Sequence, residues 1–510
     1  MRFPKPLIDS LPWEPALNGS LPSTGEFFPS RSEPLAARTM KTPFLKHLLG
    51  RLEVGRAASR SEVVRVPRAS GVTRPALDVG LGDRVILAAL ASRLVEVLEP
   101  HKDVTGLDLR VGSVPVAARR TFERRPMEEQ HEEDMAVATT DVAAFYEYVD
   151  HETLTQEVLE LTAEVDLSGA IHEALGELQD RDFGLPQGPR GSDVFADLYL
   201  GKVERVLSRA GWSTYRLRDE FLIPVQDRDA GRRALLDLEQ ALRLVGLSAN
   251  PAKTDILDRA SYVADVTQLE ERLRATIVEQ VSESDAYAFD PEALEDALKD
   301  VDWEDLAQDR LEELFEGALD DVDDLGSIAN HVLAETLPAL GATDSPAPLG
   351  RLSELIDSYP HMTREIALYL RLLDDGEHAG RAVADVEQLL VNGTFLYPWT
   401  KGWLFDVLAR TDQPLSSILR AELEGELVTG ELPWFALGRA VIALARAGAM
   451  PGQKEIDRLF GDGTDSARAD VAVAVRASTP DWQAEFESSI GPDEPLLRAI
   501  LRPPKPPRSR

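Results

Sequence analysis

Three acidic residues and one Gly-rich loop carry the chemistry that can be read from this chain. Asp141 ends an apolar segment that begins at Ala138, and Asp219 and Glu220 interrupt the apolar segment 215–223. Carboxylate oxygens are the ligands that hard divalent cations prefer. Because the chain contains no cysteine, any catalytic metal must be held by oxygen or imidazole. The acids therefore indicate a site for a hard cation.

The loop lies between the two acidic segments, at residues 184–193. Its glycines allow the backbone to approach a ligand closely, and Pro186 stiffens the turn. Gln187 offers an amide that can donate and accept hydrogen bonds, and Ser192 can cap a following helix. The apolar stretch 194–200 comes next. This pattern predicts a nucleotide-binding loop that opens a helix.

The elements that must position these residues mix strands and helices. The pattern predicts a strand ending at Asp141 and a hairpin at Arg218-Asp219. Helices are expected at 154–161, 194–207 and 230–244, and upstream a strand pair at 63–79 precedes a helix at 83–98. This is an α+β pattern.

Composition bounds the rest of the chain. A length of 510 residues with 43% hydrophobic content predicts two or three domains. Residues 1–45 contain eight prolines, which predicts an irregular leader. With no run of eighteen apolar residues and no apolar segment behind Met1, we expect a cytoplasmic protein without a membrane partner.

Charge is distributed unevenly over the chain. Residues 1–130 carry 20 Lys and Arg against 15 Asp and Glu, whereas the remainder carries 35 against 74. Phosphate binding depends largely on Lys and Arg, so the N-terminal quarter is the expected phosphate-facing part. Solvated surface charge is the alternative explanation.

Beyond residue 280 only helical patterns recur. Helix starts marked by proline and tryptophan occur at Pro398, Pro433 and Pro480. Their spacing suits paired-helix repeats in which each unit packs against its neighbours, and an irregular helical bundle is the alternative. The acidic stretch 283–324 is expected to be a solvated helical face or a hinge, and the end of the chain a disordered basic tail.

The order of acid, loop and acidic pair resembles the palm of reverse transcriptases. Residues 246–254 resemble the motif that follows the acidic turn in that family, and residues 66–75 resemble strands of its fingers. The resemblance covers roughly residues 60–258. It implies a right-hand polymerase with fingers at 46–130 and a palm at 131–280. The leader at 1–45 is expected before it, and HEAT-like all-α repeats at 281–495 and a tail at 496–510 after it.

Phosphoryl transfer needs divalent cations held by carboxylates on rigid elements, and Asp141 and Asp219 are the candidates. The resemblance implies Mg²⁺, or Mn²⁺ in its place, with the Val142 carbonyl completing the site. The family's turn has tyrosine, any residue and two aspartates. Here Leu217 replaces the tyrosine and Glu220 the second aspartate, which also leaves a degenerate polymerase open.

The same resemblance assigns nucleotide-binding roles to five further residues. Tyr146 corresponds to the aromatic residue that excludes a 2′-hydroxyl, which implies dNTP substrates, although a core aromatic is the alternative. Gln187 would face the incoming nucleotide. Arg68 and Arg74 would hold the triphosphate, for which the guanidinium geometry is suited, and Lys253 would lie near the leaving pyrophosphate.

A polymerase core followed by helical repeats resembles the abortive-infection and defence-associated class of bacterial reverse transcriptases. The resemblance implies antiphage defence, an RNA or DNA strand as partner, a homo-oligomer, and synthesis that is RNA-templated or untemplated and is primed in some members by a protein hydroxyl. A protein partner is expected on the acidic helical domain. The alternatives are a group II intron or retron type enzyme and a catalytically silent scaffold.

Three other patterns are assigned no chemistry. Residues 131–134 (His-Glu-Glu-Asp) read as a solvated run before a strand, and His151 is expected to face solvent at a helix start. Residues 428–430, which match a retron tripeptide, are expected to form a turn because they lie far beyond the palm.

Overall fold

The fold is described from a computed structural model. It describes residues 1–21, 27–55, 58–101, 136–262, 308–320, 327–373, 376–392, 396–491 and 494–502. The predictions for residues 131–134, for residues 283–307 and 321–324 of the acidic stretch and for residues 503–510 of the tail lie outside these ranges. Residues 308–320 of the acidic stretch form a helix. Residues 496–501, predicted as the start of the disordered tail, belong instead to a helix whose Leu497 and Ile500 are buried. None of the described helices is long and apolar enough to cross a membrane.

The chain divides into two compact units. The first unit comprises Met1–Ser23, Ala37–Ser61 and Val79–Val266, and the second comprises Thr24–Ala36, Glu62–Asp78 and Thr267–Arg510.

Up to residue 262 the described part of the chain contains both helices and strands. They are α1 (Lys5–Ser10), α2 (Trp13–Ser20), α3 (Ser32–Thr39), α4 (Lys41–Val54), β1 (Glu62–Pro67), β2 (Thr73–Asp78), α5 (Leu81–Leu98), β3 (Ala136–Asp141), α6 (Phe145–Tyr148), α7 (His151–Thr162), α8 (Val165–Gln179), α9 (Arg190–Arg209), β4 (Tyr215–Leu217), β5 (Glu220–Val225), α10 (Arg228–Leu244) and β6 (Asp255–Asp258). The predicted strand into Asp141, the hairpin and the helices of this region are confirmed.

A four-stranded antiparallel sheet in the order β4-β5-β3-β6 supports the first unit. Helix α10 packs against β3, β5 and β6. The sheet's buried side chains include Val137, Phe221 and Ile223. The central position of β3 fixes the place of the acid at its end, because its neighbours on both sides hold its register.

Helix α5 is the buried helix of the first unit. Its residues 85–91 are all buried, as expected for a helix that is apolar on every side. Helices α2, α7, α8 and α9 pack against it. At Gly191, a β-carbon would lie 2.6 Å from the Leu87 carbonyl oxygen, so this glycine of the loop motif is required for close approach of α9 to α5.

The N-terminal segment differs from its predicted irregular form. Its described residues contain α1, α2 and α3, followed by α4 from Lys41. Proline is tolerated in the first turn of a helix, where the missing N–H has no partner in any case. Pro6 occupies such a position in α1. The prolines therefore limit the helices to six or eight residues without preventing them.

Every regular element described between residues 308 and 502 is helical. These elements are α11 (Gln308–Asp320), α12 (Ser327–Ala342), α13 (Leu352–Ser358), α14 (Thr363–Leu372), α15 (Ala379–Val391), α16 (Pro398–Arg410), α17 (Ser417–Thr429), α18 (Trp434–Arg446), α19 (Gln453–Asp462), α20 (Asp465–Arg476), α21 (Pro480–Ser489) and α22 (Pro495–Leu501), with short 3-10 turns between some of them. The helix starts expected at the three prolines are confirmed within one residue. Gly430 caps α17 with φ of 64°, which confirms the turn expected there.

These helices pack as two rows. The first row runs α11, α12, α14, α16, α18, α20 and α22, and each of its members packs against the next. The intervening helices pack beside the first row: α15 packs on α16 and α17, α17 on α18, and α19 on α20. Such nearest-neighbour packing is typical of helical repeats.

The second unit also contains the hairpin β1–β2, which the sequence had grouped with the fingers. Val64, Val66 and Ala76 belong to the same hydrophobic core as the C-terminal helices. The Trp399 indole donates a hydrogen bond to the Phe27 carbonyl oxygen at 2.5 Å. Long-range apolar packing therefore determines where these early segments belong.

A buried ionic network reinforces this unit, and we call it the buried network. It consists of Arg31, Asp78, Arg371, Asp406, Arg410, Arg439 and Asp470. Asp406 receives three of these arginines, with N–O distances of 2.9, 3.4 and 3.6 Å. Thr464 and Ser466 donate hydrogen bonds to Asp78. Each of its acids is therefore matched by a cation.

Candidate active site

The register of the sheet brings the three predicted acids together. Asp141, the last residue of β3, lies directly opposite Glu220, the first residue of β5. Directly opposite residues of antiparallel strands share a face and have β-carbons about 4.5–5.5 Å apart. Asp219 occupies the adjacent turn, where its carbonyl oxygen accepts a hydrogen bond from the Val142 amide at 3.0 Å. We call Asp141, Asp219 and Glu220 the strand-end acids.

This arrangement is electrostatically unfavourable on its own. Like charges directly opposite one another destabilise a strand pair. Burial raises the pKa of the Asp219 carboxyl, and the charges of Asp141 and Glu220 raise it further. Lys253 lowers it, and its ammonium lies 3.4 Å from the Asp141 carboxylate. Lys253, whose side chain is exposed, therefore offsets only part of the negative charge of Asp141 and Asp219.

The segment after α10 holds this end of β3 in place. The Asn250 amide donates to the Asp141 carbonyl oxygen at 2.7 Å, and its side-chain amide donates to the Asp141 carboxylate at 3.2 Å. The hydroxyls of Thr140 and Thr254 are 2.6 Å apart. Lys253 follows in a short 3-10 turn that Asn250 caps. The site therefore includes Lys253 beside Asp141, and its predicted place near a leaving pyrophosphate stays a prediction.

The Gly-rich loop is tied to the same place by the backbone. The Leu185 amide donates to the Tyr146 carbonyl oxygen at 2.7 Å, and the Gly184 amide to the Val149 carbonyl oxygen at 2.7 Å. Gly184 and Gly188 have φ of 94° and 103°, in the left-handed region that favours glycine. Gln187 lies between them, partly exposed. The loop thus lies beside the segment that follows Asp141.

Two details of the loop correct the sequence predictions. Helix α9 begins at Arg190 with Pro189 at its N-cap, so the buried Ser192 lies inside the helix and does not cap it. His151 does not face solvent: its ring is fully buried and its Nε2 lies 2.7 Å from the Gly184 carbonyl oxygen. Burial lowers the pKa of this imidazole. Both residues were misplaced because the packing of the loop against α5 and α7 is a tertiary property.

Tyr146 is held by a polar clamp that the sequence did not reveal. Its hydroxyl donates to the Asp193 carboxylate at 2.8 Å and accepts from the Arg218 guanidinium at 3.1 Å. Arg218 also binds both oxygens of Asp193, at 2.6 and 3.1 Å. Burial and the neighbouring Asp193 raise the pKa of the Tyr146 hydroxyl, which keeps it protonated. We call Tyr146, Asp193 and Arg218 the tyrosine clamp.

The clamp connects three elements of the site. Arg218 occupies the β4–β5 turn beside Asp219, with φ of 55°. This left-handed backbone costs about 1–2 kcal/mol for a residue other than glycine. The partly buried Arg216 supports the turn by donating to the Arg218 carbonyl oxygen at 2.7 Å. The available sequence signal was a charged residue, Arg218, in a two-residue hairpin turn. The spacing of residues did not indicate that Asp193 is its partner.

Arg68 and Arg74 do not belong to the unit that contains the strand-end acids. They flank the turn of the β1–β2 hairpin, which belongs to the second unit, whereas the strand-end acids belong to the first. The Arg74 guanidinium lies over the Phe27 ring, 4.5 Å from its centroid. Their predicted role in holding a triphosphate stays a prediction.

The residues present suit Mg²⁺. Among the described residues, no group of three or more His, Asp or Glu side chains is placed to hold a metal ion on its own. Mg²⁺ is commonly bound by one or two carboxylates together with water and substrate phosphates. Asp141 and Asp219 supply those carboxylates, and their surplus negative charge would favour the cation.

Comparison with known proteins gave remote structural similarities alone. No family model matches the chain, and no curated protein sequence does so. The telomerase of Candida albicans in complex with a TWJ fragment of telomeric RNA is 10% identical, with a TM-score of 0.32. The similarity covers 67% of this chain and 63% of that telomerase, so this chain spans less than two thirds of its length.

The apo telomerase of Candida tropicalis is 12% identical, with a TM-score of 0.32 and coverage of 72% of this chain and 74% of that one. Similarities this remote do not assign a function to the chain.

Proposed function

We propose that the first unit contains the palm of a Mg²⁺-dependent DNA polymerase of the reverse-transcriptase type. The observation that carries this proposal is the placement of the strand-end acids on adjacent antiparallel strands. Three acids gathered at one sheet end, with Lys253 as the cation beside them, carry an electrostatic cost that cation binding would offset.

Asp141 and Asp219 would hold the cation, with the Val142 carbonyl as a further ligand. When bound, Mg²⁺ would stabilise the attacking and leaving oxygens of phosphoryl transfer. The protein's part is to hold both carboxylates on rigid backbone, which the Val142–Asp219 and Asn250–Asp141 hydrogen bonds do. Lys253 would neutralise charge that develops on the departing pyrophosphate.

The neighbouring loop and clamp would bind the dNTP. Gln187 would contact the nucleotide, and the Tyr146 ring would crowd a ribose 2′-hydroxyl. The tyrosine clamp supports this role because two hydrogen bonds fix the Tyr146 hydroxyl. Arg68 and Arg74 are proposed to bind the triphosphate.

Incorporation of labelled dNTPs by the pure protein with Mg²⁺, with and without an RNA or DNA strand, tests the proposal. We expect incorporation by the wild type and none by Asp219→Asn. Asp258→Asn is the matched control, because Asp258 lies at the opposite end of β3, paired with Ala136. Absence of product from the wild type, or equal product from Asp219→Asn, would refute the polymerase.

A binding scaffold without catalysis is the second candidate. It is favoured by the Lys253 ammonium, which already lies 3.4 Å from Asp141, and by Glu220 in place of a second aspartate. The scaffold predicts binding of an RNA or DNA strand with no incorporation at any Mg²⁺ or Mn²⁺ concentration. The same assay therefore separates the two candidates.

We further propose that the protein acts in bacterial antiphage defence as a homo-oligomer, with the second unit as a HEAT-like domain that binds protein. The two-row packing of its helices supports the repeat assignment. Phage plating on cells that express the wild type or Asp219→Asn tests the defence role, and light scattering tests the oligomer. Equal plating of phage on both strains would refute the role in defence. A monomer in light scattering would refute the homo-oligomer.

A further inference from the structure

A pocket in the second unit is lined by arginines although the chain as a whole is strongly acidic. It has a volume of about 350 Å³ and its lining includes Arg31, Arg410, Arg439, Arg446 and Arg476. No Asp or Glu belongs to that lining among the described residues. The full chain carries 89 acidic against 55 basic residues, so five arginines without an acid are not expected from composition.

The fold places three of these arginines at one recurring position. Arg410, Arg446 and Arg476 are the last residues of α16, α18 and α20, which are successive members of the first row. Because these helices pack side by side, their C-terminal ends lie next to one another. Each arginine also suits the negative end of its own helix, and this accounts for one arginine per helix but not for their convergence on a cavity.

Acids outside the pocket fix the innermost arginines. Asp406 pairs with Arg410 at 2.9 Å and with Arg439 at 3.4 Å, and Asp78 pairs with Arg31 at 2.5 Å. These acids belong to the buried network. The arginines at the back of the pocket are therefore held in position before any ligand arrives, which lowers the entropic cost of binding.

The two outer arginines are exposed and more lightly held. Arg476 donates to the Ile500 carbonyl oxygen at 3.1 Å, and Arg446 donates to the Ala409 carbonyl oxygen and pairs with the exposed Asp412. Surface ion pairs of this kind contribute little and are readily exchanged. Arg446 and Arg476 can therefore turn toward an incoming anion.

The rest of the lining consists of two serines, Ser30 and Ser32, and apolar residues, among them Ile442 and Val473. A pocket of this volume lies at the lower end of the range of about 300–1,000 Å³ for small-molecule sites. Guanidinium groups match phosphate oxygens bidentately, and the two outer arginines, with five N–H donors each, together carry more donors than one carboxylate can accept. The number of donors favours a ligand with several phosphoryl oxygens.

We propose that this pocket binds a small polyphosphate, either pyrophosphate or the phosphate chain of a nucleotide. The site lies wholly in the second unit and is independent of the strand-end acids. The fraction of pockets that are occupied would then depend on the concentration of such anions.

Calorimetric titration of the full-length protein with pyrophosphate in metal-free buffer tests the proposal, and ATP distinguishes a free polyphosphate from a nucleotide. We expect saturable binding that Arg446→Gln and Arg476→Gln each weaken at least tenfold. Arg446→Lys, which keeps the charge but loses the fork, should bind with intermediate affinity. Arg420→Gln on α17 is the control for loss of one arginine outside the pocket and should bind as the wild type does.

Two further arms make the result decisive. Asp219→Asn should bind pyrophosphate as the wild type does, because the strand-end acids are not part of the pocket. Citrate, a carboxylate anion of similar charge, should bind at least tenfold more weakly. Absence of binding, wild-type binding by both glutamine variants, loss of binding in Asp219→Asn, or equal binding of citrate would each overturn the proposal.

Discussion

The strand-end acids and the acids of the buried network differ in how far neighbouring cations compensate their charge. In the second unit, Asp78, Asp406 and Asp470 each have at least one arginine partner, and Asp406 has three. In the first unit, Asp141 and Asp219 have one lysine, Lys253, as their cation, and this lysine is exposed. A balanced cluster stabilises a fold, whereas an unbalanced cluster at a strand end leaves a requirement for a cation. Charge balance, more than acidity, distinguishes the two regions.

Removal of a strand-end acid should have the largest effect on activity and little effect on the fold. We expect Asp141→Ala and Asp219→Ala each to lower nucleotide incorporation by at least about 1,000-fold, equivalent to about 4 kcal/mol of lost transition-state stabilisation. Their melting temperatures should equal or exceed that of the wild type, because each change relieves repulsion. Retained incorporation in either variant would contradict the assignment of the site.

Removal of an acid from the buried network should instead lower the free energy of unfolding. Asp406→Ala leaves three arginines without their shared partner, and breaking a buried ion pair in this way costs about 3–5 kcal/mol. Urea denaturation measures the loss. Glu313→Ala, which breaks an exposed pair with Arg310 in the same unit, is the control and should cost less than about 1 kcal/mol. Equal stability of Asp406→Ala and Glu313→Ala would show that the buried network does not stabilise the fold.

Stability should also depend on the pH through Glu62 in the second unit. Burial raises the pKa of this carboxyl from 4.5 to about 7, while the Trp434 amide, at 2.7 Å, opposes the shift. The folded state therefore keeps a proton that the unfolded state has lost between these pH values, and stability falls as the pH rises from about 4.5 to about 7. The contribution is about 3 kcal/mol at most.

Urea denaturation at pH 5 and at pH 8 measures the contribution of Glu62 to the free energy of unfolding. Glu62→Gln cannot ionise, so it should lose less stability than the wild type over the same interval. An identical pH dependence of the two proteins would show that Glu62 ionises in the folded state at its ordinary pKa.

The tyrosine clamp should affect substrate choice more than rate. We expect Tyr146→Ala to raise the ratio of rNTP to dNTP incorporation by about tenfold, equivalent to about 1.4 kcal/mol, because the ring no longer crowds a 2′-hydroxyl. Tyr146→Phe keeps the ring but loses the bonds to Asp193 and Arg218, so its ratio should lie between those of wild type and Tyr146→Ala. An unchanged ratio in Tyr146→Ala would make Tyr146 a packing residue.

The smallest effect is expected for Glu220→Asp. The shorter side chain keeps the charge opposite Asp141, so incorporation should stay within about threefold of wild type. Steady-state rates at fixed Mg²⁺ measure it. Complete loss of incorporation would show that this site requires the longer side chain.

The local sequence determined much of the first unit. Alternating and helical patterns predicted the strand into Asp141, the hairpin at Arg218-Asp219 and the helices around them, because burial of one face imposes those periods on the chain. The strand-end acids could be selected for the same reason, since each follows a recognisable strand. The roles of Gln187, Arg68, Arg74 and Lys253 stay predictions.

Only the tertiary structure decided which distant residues meet. The partners of Arg218, the burial of His151 and the membership of the β1–β2 hairpin in the second unit all depend on contacts between residues far apart in sequence. The arginine pocket likewise required three helices to end side by side. Periodicity records which face of an element is apolar, but it carries no record of the partner against which that face packs. Charge pairing and pocket formation therefore became visible only once the chain was folded.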